Sequence, residues 1–195
     1  MLSYLAAALP EDTSAPARLL ALQCALRMNS TMHVRLPQGV LRSLRLEPAA
    51  KPWRELENAL WLRTTPPIAG NEIAAELLDV TLLGQTPARP DRRQAADWAL
   101  RAGSPSTAGT IGPLPQLGSV YLTSHTPQDS ASGLAEIDQM ARACGTPSTE
   151  LPSTLEQLAA TGLLASWRVW DSGDLQWTLA CGTALRVDDR QQSSA

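Results

Sequence analysis

Residues 151–179 read LPSTLEQLAATGLLASWRVWDSGDLQWTL, and this stretch decides the fold. Leu151, Leu155 and Leu158 recur at helical spacing, so a helix is expected over Pro152–Thr161. Gly162 stands where a left-handed residue closes it. Ala165–Trp170 and Leu175–Leu179 flank Asp171-Ser172-Gly173-Asp174, a β-hairpin pattern. Closing the hairpin on a Trp170:Leu175 pair puts Arg168, Trp170, Leu175 and Trp177 on one face. Arg168 then lies opposite Trp177, within reach of a cation–π contact. Trp170 and Trp177 either fold onto their own core or anchor a partner.

Working outward, Gly145 ends a helix on which Leu134, Ile137, Met140, Ala141 and Cys144 share a face. Gln128–Gly133 reads as a polar loop and Leu117–His125 as a short helix. Ser104–Pro115, rich in Ser, Gly, Thr and Pro, has the composition of a linker. Before it comes a similar order. A helix over Pro16–Met28 carries Leu19, Leu20, Leu22 and Leu26. A strand at His33–Leu36 follows, then a helix from Pro37 to Leu46 with Val40, Leu41 and Leu44 inward. After the Glu47-Pro48 turn, a helix over Pro52–Leu62 buries Trp53, Leu56 and Leu60. A return strand falls within Ile73–Leu83 and a last helix over Asp91–Arg101. The halves align without a gap at an offset of 99. Leu41–Pro48 then faces Met140–Pro147, and Leu56-Glu57-Asn58 faces Leu155-Glu156-Gln157.

Helix, helix, Pro-containing turn, helix and hairpin, met twice, resemble the winged helix-turn-helix superfamily. The resemblance implies a mainly α chain with small β-hairpins (α+β), built as two winged-helix domains in tandem. The expected boundaries are an arm at 1–14, a first domain at 15–103, a linker at 104–113, a second domain at 114–186 and a polar tail at 187–195. It also implies that the third helix of each unit enters the DNA major groove while the wing meets the backbone. The tandem layout is similar, too, to bacterial segregation-complex subunits and some plasmid replication initiators.

The formal charge is −3, but it is uneven. Residues 1–103 hold twelve Lys/Arg against ten Asp/Glu, and residues 104–195 hold four against nine. Nucleic acid contact is therefore expected from the N-terminal half. Lys51, Arg54 and Asn58 share the expected outward face of the third helix, and Arg and Asn can read guanine and adenine edges. Arg35, Arg42, Arg45 and Arg63 are candidates for phosphate contact. Glu55 and Glu57 count against groove entry unless a neighbour pairs them. In the second unit the matching face is Glu150, Ser153, Thr154 and Gln157, without a cation, so only secondary DNA contact by Ser153, Thr154 and Gln157 is expected. Arg89, Arg92 and Arg93 cluster at a helix start, where they could pair with Asp91 or Asp97 or meet an external anion; an exposed, solvated cluster is the expectation.

Cys24, Cys144 and Cys181 are odd in number and lack a C-x-x-C pair, which points to packed thiols in a reducing compartment. No metal site and no cofactor are expected. Phosphate-binding loops and hydrolase or metalloprotease motifs are missing, so no enzyme is expected. The apolar opening, residues 1–9, is too short to span a bilayer. The reading is a cytoplasmic, dimeric, sequence-specific double-stranded DNA-binding protein of the bacterial transcriptional-regulator kind. The alternative is an adaptor that uses its winged helices to hold proteins in chromosome or plasmid maintenance. No membrane or small-molecule partner is expected.

Overall fold

The computed structural model describes residues 1–46, 50–65, 72–86, 88–102 and 111–180. It holds nine α-helices and two three-stranded antiparallel sheets among these residues. The chain opens with α1 (Leu2–Ala8) and α2 (Ala15–Arg27), then β1 (His33–Pro37), α3 (Gln38–Ser43), α4 (Ala50–Asn58), β2 (Leu62–Thr65) and β3 (Glu72–Leu77). Next come α5 (Leu82–Gln85), α6 (Arg89–Ala102) and α7 (Pro113–Ser124). β4 (Ser132–Glu136), α8 (Ile137–Cys144), α9 (Leu151–Ala160), β5 (Leu164–Val169) and β6 (Asp174–Leu179) complete it. The segment α7 to β6 repeats the order of α2 to β3, with α5 and α6 between the two. The sheets are ordered alike, β1-β3-β2 and β4-β6-β5. Most of the expected linker, and the expected tail at 187–195, lie outside the described residues. So do Cys181 and the Glu47-Pro48 turn.

Each unit is built around a helix buried on nearly all sides rather than along one stripe. Eleven of the thirteen α2 residues are buried, as are Pro115–Leu122 of α7. A helix apolar all round belongs inside a core. The two meet, so the units share one buried core, which also takes Leu2, Leu5 and Leu9 of the arm. The arm is docked twice over: Tyr4 donates its hydroxyl to Asp79, and α1 packs on α8. Arg18 ties it down from α2, donating to the carbonyls of Thr13 (3.0 Å), Pro10 (2.8 Å) and Leu5 (3.3 Å). Arg18 is 2% exposed, and desolvation pulls its pKa below the ordinary value.

The four inner helices end alike. After α3 and α8, Arg45 and Gly145 donate to the carbonyls of Arg42 and Arg142, while Leu46 and Thr146 reach back to Leu41 and Ala141. After α4 and α9, Leu60 and Gly162 donate to Glu57 and Ala159, while Trp61 and Leu163 reach Leu56 and Leu158. These are Schellman turns, whose hinge residue is left-handed. Its φ is +65° at Gly145 and +73° at Gly162, but also +56° at Arg45 and +54° at Leu60, where a side chain is strained.

The turns correct the internal alignment. Met32 and Ala131 accept from the equivalent Leu77 and Leu179, an offset of 99 at the first strand. The offset grows to 100 at Arg45 and Gly145, and to 102 at Leu60 and Gly162. Leu56 therefore matches Leu158, not Leu155. The paired ends agree, since Leu62↔Leu77 corresponds to Leu164↔Leu179.

Other expectations shift as well. Gln128–Gly133 is not all loop: β4 begins at Ser132, and Leu134 stands exposed on it rather than on a helix face. The return strand ends at Leu77, and Leu60 is 76% exposed rather than buried. In the C-terminal hairpin, Gly173 (φ +85°) donates to Trp170 O, and Trp170 N donates to Asp174 O. That is a three-residue loop closed by a left-handed glycine. The register becomes Val169↔Leu175 and Trp167↔Trp177, one residue from the expected pairing, and a one-residue slip exchanges the faces. Trp177 is buried, 1% exposed, with its indole N–H on Thr126 Oγ1 at 2.8 Å. Arg168 lies 3.8 Å from the ring centroid of Trp170 instead.

Candidate nucleic acid interface

Helix α4 is the next element after α3 and packs its Trp53 and Leu56 against the core. The opposite side carries Lys51, Arg54 and Asn58, all exposed. The two carboxylates that counted against this face are held from inside. Glu55 accepts from the Ser14 backbone N–H at 2.9 Å, and Lys51 Nζ lies 3.9 Å from it. Glu57 accepts from the hydroxyl of Thr64 and from its N–H at 3.1 Å. The Thr64 hydroxyl, its N–H and nearby Arg54 hold the Glu57 carboxyl below the ordinary range. Both acids thus help seat α4, Glu55 on the start of α2 and Glu57 on β2. Lys51, Arg54 and Asn58 are the more exposed side chains of this face, with Glu55 and Glu57 half-buried beside them.

Arg42 and Arg45 are exposed on and just after α3. Arg42 receives support from Gln38, whose Oε1 accepts at 3.3 Å. Arg35 and Arg63 are exposed on the first sheet, where they pair with Ala74 and Glu76 of β3, and Arg63 meets Glu76 at 3.4 Å. The structure brings Lys51, Arg54 and Asn58 onto one helix and places Arg35 and Arg63 on the first sheet. Of the second arginine cluster, Arg92 is buried and donates to Met28 O (3.3 Å) and Thr86 Oγ1 (3.2 Å), so it is structural.

In the second unit, Ser153 and Gln157 are exposed, but Thr154 is only 4% exposed and offers no surface to a ligand. Ser153 donates its hydroxyl to Glu150 O at 2.9 Å. With the corrected offset, Lys51, Arg54 and Asn58 correspond to Ser153, Glu156 and Ala160, so an exposed glutamate occupies the place of Arg54. The sequence comparison missed Glu156, although the left-handed closings at Leu60 and Gly162 mark the correspondence. Trp170 remains 43% exposed and covered by Arg168, whereas Trp177 cannot serve as a contact surface.

Cys24 and Cys144 are free and buried, and burial pushes the Cys144 thiol up to about 12. No cluster of three or more potential metal ligands occurs among the described residues, and no described helix is long and apolar enough to cross a membrane. No family model, no curated protein and no solved structure matches the chain.

Proposed function

We propose that the chain is a sequence-specific double-stranded DNA-binding protein, a transcriptional regulator built from two winged-helix units, in which α4 of the first unit enters the major groove. The observation that carries this reading is the outward face of α4. Lys51, Arg54 and Asn58 project together there, while Glu55 and Glu57 are engaged within the fold. The helix–strand–helix–helix–strand–strand order, with the third strand between the first two, supports the winged-helix assignment in both units. Arg54 and Asn58 supply the donors for base edges, and Arg42 and Arg45 reach phosphates. Arg35 and Arg63, exposed on the first sheet, are further candidates for phosphate contact.

The test is binding of duplex DNA at two salt concentrations. Arg54→Ala should cost about 1–3 kcal/mol and relax preference at one base position. Replacing Arg42 or Arg45 by Ala should weaken all sequences alike and lower the salt slope by about 1. Ser153→Ala should change little. If no duplex is retained even at low salt, the reading fails.

A second reading, an adaptor that holds proteins, is favoured by Glu156 in the place of Arg54 and by exposed Trp170 at the hairpin loop of the second unit. The two readings can divide the chain, with DNA on the first unit and a protein or a second copy on the other.

A further inference from the structure

A cavity of about 260 Å³ lies where α2 and α6 of the first half meet α7 of the second, with the first turn of α1 on its remaining side. Leu22 and Leu26 form its apolar floor, Trp98 and Val120 stand along its walls, and Ser124 and His125 edge its mouth. No Asp, Glu, Lys or Arg side chain lines it. The amino terminus at Met1 is among the lining residues but no acidic side chain is, so a cationic ligand would enter without a counter-ion, at a heavy desolvation cost. The body of the ligand is therefore apolar and its polar part not cationic.

The chemistry of the mouth narrows the class. His125 Nδ1 is 2.8 Å from the Tyr121 carbonyl, and the imidazole stacks on the Tyr121 ring with centroids 4.0 Å apart. A carbonyl oxygen only accepts, so Nδ1 donates to it, with Ser124 Oγ 3.1 Å from the same nitrogen; the Nδ1–H tautomer presents Nε2 as an acceptor. The Ser124 hydroxyl also spends its proton on Tyr121 O, at 2.9 Å. Both groups at the mouth are thus short of donors and can take one from a ligand. The indole of Trp98 gives an aromatic wall for a ring to pack on. Cavities of roughly 150 Å³ already admit benzene, so one ring with one substituent fits this volume.

We propose that this cavity is a binding site for a small uncharged phenol, a single aromatic ring whose hydroxyl donates to His125 Nε2 or Ser124 Oγ. The ligand bridges the two halves of the chain, because α2 and α6 belong to one and α7 to the other. This proposal does not depend on DNA binding.

The test uses the full chain and three fluorinated probes followed by ¹⁹F NMR: 4-fluorophenol, fluorobenzene and 4-fluorobenzoate. Saturable binding of 4-fluorophenol is expected, with fluorobenzene about tenfold weaker for want of the hydrogen bond and the benzoate not retained. Ala replacement of both Ser124 and His125, which sit at the surface, should remove the advantage of phenol over fluorobenzene and leave the fold intact. Val120→Phe should fill the cavity and abolish binding of both. Benzoate binding as tightly as phenol would overturn the proposal. So would phenol binding unchanged by the Ser124/His125 pair of replacements, or no saturable binding of phenol by the folded chain.

Discussion

At the scale of single residues, four helix ends share one turn but not one residue type. Leu60 holds φ +54° with its side chain 76% exposed, so it bears the strain of a left-handed side chain and gains little burial in return. Leu60→Gly should raise stability by about 0.5–1 kcal/mol, and Gly162→Ala at the matching turn should lower it by about 1, both read from urea unfolding. Gly145 faces a second constraint. A Cβ there would stand 2.2 Å from Thr13 O and 2.5 Å from Arg18 Nε, whereas at Gly162 it would meet open space. Gly145→Ala should therefore cost well above Gly162→Ala, about 3 kcal/mol or more, because backbone and a buried guanidinium must both move. Equal losses in the two variants would show that the arm does not press on this turn. The left-handed glycines were legible in the sequence as helix stops. Arg45 and Leu60 were not, since nothing in their chemistry announces a positive φ.

At the scale of elements, the helices and the hairpin were readable because leucines mark them, and the same leucines misled the comparison of the halves. Shifting α9 by three residues turns the helix by nearly one revolution, so Leu155 and Leu158 both fall on the buried face, and periodicity cannot choose between them. Only the closing turn fixes the correspondence, and it replaces Gln157 and Ser153 by Ala160 and Glu156 opposite Asn58 and Arg54. Strand β4 was illegible for a different reason. Its inward positions are Gly133 and Ala135, small because the Trp177 ring fills the space: a Cβ at Gly133 would lie 2.2 Å from it. A strand whose inward side is Gly and Ala shows no hydrophobic alternation. Helix α1 yields a prediction of its own, since its Tyr4 hydroxyl is tied to Asp79. That bond holds the Asp79 carboxyl below its ordinary range, while burial and then Asp79 raise the Tyr4 phenol. A lowered carboxyl stabilises the fold above the unfolded value near 3.9, and the contribution is lost as pH falls through the folded value. A raised phenol contributes below about 10 and is lost as pH rises through its folded value. Tyr4→Phe should cost about 1 kcal/mol at neutral pH and flatten both limbs of the unfolding profile. An unchanged profile would mean that α1 is held by its leucines alone.

At the scale of the whole molecule, the repeat is structural while the chemistry is divided. The first unit presents Lys51, Arg54 and Asn58 on α4, and the second presents Ser153, Glu156 and Ala160 at the same positions of α9. The sequence located the cationic half by charge count, but it could not show that Glu55 and Glu57 are hydrogen-bonded to Ser14 and Thr64, because a side chain's partner is a tertiary fact. The shared core of α1, α2, α7 and α8 also makes a physical prediction. Cleavage within 103–110 should leave two pieces that stay together in gel filtration, and the intact chain should unfold in a single transition. Separate transitions for the two halves would show that the buried contact between α2 and α7 does not couple them. The central claim is that α4 of the first unit, and not α9 of the second, meets DNA. Its most direct measurement is a backbone and side-chain NMR titration of the full chain with a mixed-sequence duplex of about 20 base pairs, two helical turns, at low salt. Shifts are expected to centre on Lys51, Arg54 and Asn58, to extend to Arg42 and Arg45 and to fade as salt rises. Shifts centred on α9 and the β5–β6 hairpin, or none at all at low salt, would contradict it.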